Sequence, residues 1–116
     1  MNAAFRVAKS MTIDDANSKF ITGLKVATDT SSEKMQVATY SCGSHYQNHL
    51  DGFEADPVEP WQPVPAGNRI ATFLYYLSDV GKGGGTSFPQ SGIATVPRKG
   101  SAVFWYNLLR SGAVDS

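Results

Sequence analysis

Residues 69–77 read Arg-Ile-Ala-Thr-Phe-Leu-Tyr-Tyr-Leu, an apolar run rich in β-branched and aromatic side chains. A run of that length and make-up suits a strand buried on both faces or nearly so. The rest of the chain supplies further strands. Residues 34–41 alternate. Thr86-Ser87-Phe88 and Ile93-Ala94-Thr95-Val96 are short β segments separated by a Pro-Gln-Ser-Gly turn, and residues 101–108 (Ser-Ala-Val-Phe-Trp-Tyr-Asn-Leu) form another strong strand. Short strands broken by regular turn signals predict a sandwich or barrel. One helix is expected, over residues 12–24. Thr12 can cap it, Asp14 and Asp15 suit its dipole, Ile13, Ala16, Phe20 and Leu24 fall near helical spacing, and Gly23 can end it. That face is a packing face.

With 116 residues the chain holds one domain. A chain of this size buries roughly two-thirds of its unfolded surface, enough for one core. Its formal charge is zero with no basic or acidic block, so nothing points to nucleic acid or an anionic membrane as partner. It has no apolar run of about 18 residues to span a bilayer. Residues 1–10 lack the apolar core of a signal peptide. A single cysteine, Cys42, excludes an internal disulfide and a cysteine-based zinc site. It reads as a small packing filler, with no neighbouring base to make it reactive.

The chemistry-bearing stretch is Tyr46-Gln47-Asn48-His49-Leu50-Asp51. Following the alternating run 34–40, His49 and Asp51 stand at i and i+2 and face the same way at a strand end. An imidazole nitrogen and a carboxylate oxygen side by side can grip one cation, as two of the three groups in a two-histidine, one-carboxylate iron site do. A solvated pair at a loop edge is the bland alternative. His45 ranks below His49 as a ligand, since the run has to bend at Gly43 to bring it round. Residues 52–68 hold Pro57, Pro60, Pro63, Pro65 and Trp61, a long loop expected to lie beside the His49 and Asp51 end. Its Pro-x-x-Pro spacing also fits a polyproline ligand, as the weaker reading. Gly81-Lys82-Gly83-Gly84-Gly85 lacks the spacing of a phosphate-binding loop.

From Phe5 to about Gly112 the chain resembles the catalytic domain of the collagen-type prolyl 4-hydroxylase alpha subunits, Fe(II)- and 2-oxoglutarate-dependent dioxygenases. The segments that carry the resemblance are Met35 to Tyr40, Tyr46 to Asp51, Gly67 to Val80, Gly84 to Pro89 and Pro97 to Leu108, in matching order and spacing. The resemblance implies a mainly β fold, a double-stranded β-helix or jelly-roll with iron held between its sheets. It implies His49 and Asp51 as iron ligands, Tyr40 and Thr86 as hydroxyls lining the 2-oxoglutarate pocket, and Tyr46 and Arg69 as groups that position a peptidyl proline. It implies closure of the loop at 52–68 over a proline-rich or collagen-like peptide, excluding water from the reaction. L-ascorbate, a partner subunit of the protein disulfide isomerase type, and the endoplasmic reticulum lumen follow from the same resemblance. The residues taken alone leave room for other roles. Tyr40 and Tyr46 also fit as amphipathic strand residues, Arg69 as a solvated charge and Thr86 as a turn residue, whereas Trp105 and Tyr106 read as core.

In the family a distal histidine ligand and then a cosubstrate-binding lysine follow the strand that 101–108 resembles. The segment Leu109 to Ser116 contains neither. Residues 1–116 are therefore expected to form a single partial dioxygenase domain, incomplete at its C-terminus, inactive alone or nearly so, with an unpaired sheet edge. The competing expectation is a non-catalytic β-domain that binds proline-rich peptides or a partner subunit without iron. A third is a chain that does not fold stably.

Overall fold

The computed structural model describes residues 4–10, 23–24, 33, 36–53 and 67–115. Their architecture is mainly antiparallel β. Strands β1 (Ala4–Ser10), β2 (Gln36–Tyr40), β3 (Ala71–Tyr76) and β6 (Ala102–Tyr106) form a four-stranded sheet in the order β2-β1-β3-β6, and β4 (Ser87–Phe88) pairs with β5 (Ile93–Ala94) in a separate hairpin. Every pairing is antiparallel.

The apolar run forms the central strand expected of it. In β3, Ala71, Thr72, Phe73, Leu74 and Tyr76 are all buried, and they make up most of the buried set among the described residues. Strand pleating divides this core into two faces. The register Phe73↔Phe104 and Thr72↔Trp105 assigns residues of β6 to each. On one face Phe73 stacks on Tyr75 with centroids 4.7 Å apart, and Phe104 meets Phe73 at 5.9 Å and Tyr106 at 5.1 Å. On the other lie Thr72, Leu74 and Tyr76, with Val103 and Trp105 beside them. The β4–β5 hairpin covers this second face: Phe88 meets Trp105 edge-on at 5.2 Å, and the Tyr76 hydroxyl reaches Thr86 and Thr95. This is the face that positions the site.

Within the hairpin, Pro89–Ser91 form a single 3-10 turn, and Gly92 closes it in the left-handed region at φ 64°. That conformation explains the glycine of the predicted Pro-Gln-Ser-Gly turn. Beyond β6 the chain doubles back. Leu108 bridges Val114, Leu109 N–H donates to Ala113 O, and Asp115 N–H donates to Asn107 O. Buried Gly52 sits against this turn, where a Cβ would come within 3.3 Å of the Val114 methyls.

Several expectations need correction. The segment Ala4–Ser10, read only for a leader, is the strand between β2 and β3. The His-x-Asp pair does not end a strand. β2 stops at Tyr40, a turn closed by Ser44 N–H to Ser41 O follows, and residues 44–50 run on outside any ladder. That turn carries Cys42 clear of the sheet, so it is exposed and not a packing filler. Tyr106 is 52% exposed on the edge strand and is not core, whereas Trp105 is half-buried against Phe88. The helix expected over 12–24 lies outside the described residues except for Gly23 and Leu24, which are not helical. Among the described residues no helix is long and apolar enough to cross a membrane.

Candidate metal centre

His49 and Asp51 meet. His49 Nε2 lies 3.1 Å from Asp51 Oδ1, although neither residue belongs to a strand. The other imidazole nitrogen, Nδ1, is 2.7 Å from the Gln47 carbonyl oxygen. A carbonyl only accepts, so Nδ1 carries the hydrogen and the Nε2 lone pair is turned toward Asp51. Two lone pairs facing each other at this distance repel unless a cation or a proton sits between them. The spacing itself suits a metal. Two ligands at right angles on a divalent first-row ion, with bonds of about 2.1 Å, stand about 3 Å apart. The Tyr46 ring packs edge-on to the imidazole at 4.2 Å and helps hold its plane.

The carboxylate is anchored from inside the fold. Thr72 Oγ1 donates to Asp51 Oδ2 at 2.5 Å, and Asn107 Nδ2 donates to Thr72 Oγ1 at 2.9 Å. The side chain of His49 is half exposed and that of Asp51 mostly covered. Residues His45 to His49 line an open groove beside the pair.

Arg69 neighbours the same site. Its Nε donates to Glu33 Oε1 at 2.5 Å and its Nη2 to Glu33 Oε2 at 2.9 Å, a two-pronged pair. Nη1 lies 3.4 Å from the Asp51 carbonyl oxygen, and the guanidinium sits 4.7 Å above the Phe53 ring. The Glu33 hydrogen bond raises the Arg69 pKa above its usual value against the opposing effect of burial, with Glu33, Asp51 and Tyr46 charges adding to the rise. Arg69 is thus a half-buried, partnered cation and not a solvated one. Next to it, Asn68 ties to Phe53; the long loop expected between them lies, over residues 54–66, outside the described residues. Asn68 Oδ1 accepts from the N–H groups of Phe53 and Arg69, and its Nδ2 donates to Phe53 O.

On the same face of β3, three hydroxyls meet. Thr95 Oγ1 accepts from Thr86 N–H and donates to Thr86 O, so the Tyr76 hydroxyl, 2.5 Å away, donates to Thr95 Oγ1. Thr86 Oγ1 in turn donates to the Tyr76 oxygen at 3.0 Å. Thr86 is therefore a fixed hydroxyl and not a plain turn residue. Tyr40, at the end of edge strand β2, is half-buried.

A family model described as 2OG-Fe(II) oxygenase superfamily matches residues 35–113. The chain belongs to that superfamily. The match runs from just before β2 to the turn after β6 and so takes in His49, Asp51, Arg69, Thr72, Thr86 and Asn107. Curated relatives agree. The chain is 47% identical over 95 residues to human prolyl 4-hydroxylase subunit alpha-1, covering 82% of this chain and 17% of the relative. It is 45% identical over 123 residues to chicken prolyl 4-hydroxylase subunit alpha-2, covering 97% and 22%. Against the Caenorhabditis elegans alpha-2 subunit it is 39% identical over 124 residues, covering 98% and 22%. The chain thus spans about a fifth of the length of these relatives. No solved structure matches it with significance.

For a 2OG-Fe(II) oxygenase, the implied groups are Fe(II) and 2-oxoglutarate, and the donor set fits the metal: one imidazole nitrogen and one carboxylate oxygen at cation-sharing distance. Among the described residues no third histidine, cysteine, aspartate or glutamate joins them. His45 is exposed and in the groove wall, outside the pair. The structure brings together His49, Asp51 and Tyr46, with Arg69 reaching the Asp51 backbone. Thr86 belongs to a second cluster, around Tyr76 on the same face of β3 as Thr72. Sequence reading missed Thr72, Asn107, Tyr76, Thr95 and Glu33. The parity of Thr72 and Tyr76 along β3 was a usable signal for two of them, while the rest depend on which strands become neighbours.

Proposed function

We propose that this chain is the metal- and cosubstrate-binding part of a peptidyl-proline 4-hydroxylase. The observation that carries the reading is the His49 Nε2 to Asp51 Oδ1 approach at 3.1 Å with Nδ1 already capped, in a member of the 2OG-Fe(II) oxygenase superfamily. His49 and Asp51 hold Fe(II). Thr86, held by Tyr76, and Tyr40 line the 2-oxoglutarate pocket. Tyr46 and Arg69 orient the substrate proline. Bound Fe(II) with 2-oxoglutarate and dioxygen supplies the oxidation, in which one oxygen atom enters the C4–H bond of proline and the other goes to succinate as carbon dioxide leaves. Ascorbate keeps the metal reduced. The Glu33 pair and the Phe53 ring present Arg69 as a rigid planar surface beside the metal, suited to a backbone carbonyl of an extended peptide.

We read residues 1–116 as one domain, with the four-stranded sheet and the β4–β5 hairpin as the two layers of a jelly-roll. The segment at 52–68, tied at its base by Asn68, serves as the cover over the peptide. The relatives are named as subunits of prolyl 4-hydroxylases, which supports a peptidyl-proline substrate and a second subunit; a collagen-like peptide and a partner of the protein disulfide isomerase type rest on the family resemblance. It also supports work in the endoplasmic reticulum lumen.

The test is succinate release from 2-oxoglutarate by the protein that carries this chain, with a proline-rich peptide and Fe(II). His49→Ala is expected to lower turnover by at least 100-fold, in line with the roughly 10–100-fold cost of disturbing even groups outside the metal's own ligands. Full turnover in that variant removes the iron assignment. Peptide binding that ignores both Fe(II) and His49→Ala, with no turnover, would instead mark a non-catalytic peptide-binding domain.

A further inference from the structure

We propose that Thr72 and Asn107 are positioning residues that aim the Asp51 carboxylate, leaving Oδ1 alone turned toward the cation. The inference rests on the reading of His49 and Asp51 as metal ligands. Thr72 and Asn107, 3% and 5% exposed, are the buried polar side chains among the described residues, Thr72 between Ala71 and Phe73 on β3 and Asn107 just after β6. A buried hydroxyl and a buried carboxamide cost stability unless their hydrogen bonds are made. Here they are made in series, and in one direction. An ionised Asp51 only accepts, so the Thr72 hydroxyl spends its single hydrogen on Oδ2. The Thr72 oxygen then accepts from Asn107 Nδ2. The relay runs from carboxamide to hydroxyl to carboxylate, each bond polarising the next.

Both members are fixed from behind. Thr72, the second residue of the central strand β3, is paired on both sides, with Ser10 of β1 and Trp105 of β6, and its branched Cβ restricts χ1. Asn107 is held through its own backbone, with its N–H on Ile70 O and its carbonyl accepting from Asp115 N–H. A carboxylate with Oδ2 held this way resists the rotation that would bring both oxygens onto one cation. Its Oδ1 stays 3.1 Å from His49 Nε2. The central strand of the core thus sets the direction of a ligand that lies outside every strand.

The experiment titrates Mn(II) into the 116-residue chain. The bound fraction is read from loss of the free-ion electron paramagnetic resonance signal, and the location from broadening of the His49 imidazole resonances. Thr72→Val keeps the shape and removes the hydroxyl. It should weaken Mn(II) binding about 10-fold or more, within the range for lost outer partners of a ligand. Thr72→Ser, which restores the hydroxyl, should return affinity to within about threefold of the parent. Asn107→Leu should weaken binding less than Thr72→Val and add nothing on top of it, because Asn107 acts through Thr72. A Thr72→Val variant that binds Mn(II) as the parent does overturns the proposal while leaving the ligand reading intact. Failure of the parent to bind Mn(II) at His49 overturns both. Should Thr72→Val not fold, Thr72→Ser and Asn107→Leu decide: a Thr72→Ser variant at least 10-fold weaker than the parent, or an Asn107→Leu variant equal to it, overturns the relay.

Discussion

At the scale of single residues, what matters most is which hydrogen bonds are already spent. Gln47 takes the Nδ1 hydrogen of His49 and Thr72 fills Oδ2 of Asp51, so one nitrogen and one oxygen remain turned to each other. Arg69 is spent differently, on Glu33 and the Phe53 ring. Lysine would keep the charge and lose the fork and the flat stacking surface. Arg69→Lys should therefore cost about 1 kcal/mol in urea unfolding, modest because the pair is about one-third exposed. The same variant should leave Mn(II) affinity within about twofold. A larger loss of Mn(II) binding would mean that Arg69 acts on the ligands and not on the peptide. The sign of its pH dependence follows from the raised pKa: the stabilisation is present below the unfolded value and is lost only as pH rises through the higher folded value. Both lie far above neutrality, so titration of Arg69 contributes no slope to stability across neutral pH. The pair His49 and Asp51 was legible in the sequence because its partners are two residues apart. Thr72 and Asn107 were not, because they stand 21 and 35 positions from the atoms they bind, and only the strand register brings them there.

At the scale of elements, strand β3 was legible because a largely apolar, β-rich run has one comfortable setting, the middle of a sheet. Strand β1 was overlooked because Ala4–Ser10 mixes Phe5 and Val7 with Arg6 and Lys9, and an N-terminal position invites a search for a leader instead of a strand. The β4–β5 hairpin was visible through its turn residues, but the demand it makes on Gly85 was not. A Cβ at Gly85 would lie 2.2 Å from the Thr95 carbonyl oxygen, a backbone atom that cannot swing aside. Thr95 N–H donates to Thr86 O and Thr86 N–H to Thr95 Oγ1, so relieving the clash means parting the hairpin at the hydroxyl cluster. Gly85→Ala should destabilise the protein by about 2 kcal/mol, a strain cost of the size found for overpacked sites. It should also shift the amide resonances of Thr86 and Thr95 while leaving His49 unmoved. Undisturbed Thr86 resonances would show that the hairpin does not need this close approach.

At the scale of the whole molecule, core and site are one structure. The buried side chains Ala71, Phe73, Leu74 and Tyr76 lie together on β3, and Thr72 on the same strand holds Asp51. Unfolding β3 therefore releases the ligand, and a cation that binds the folded arrangement must stabilise the global fold. At a free concentration 100 times the dissociation constant, the gain is about 2.7 kcal/mol, less whatever affinity the unfolded chain retains. Some will remain, since His49 and Asp51 are near neighbours in the sequence. Thermal melts in Mn(II) should thus move upward by several degrees and return on adding chelator, whereas His49→Ala should melt at the same temperature with or without Mn(II). Leu74→Ala separates core from ligand. Removing a buried leucine costs about 3 kcal/mol and lowers the melt throughout. Leu74 lies on the Thr72 face without belonging to the relay, so the increment from Mn(II) should persist in that variant at nearly its parental size. If the increment disappears along with the leucine, Asp51 depends on the packing of β3 as a whole, and the Thr72 hydroxyl alone does not aim it.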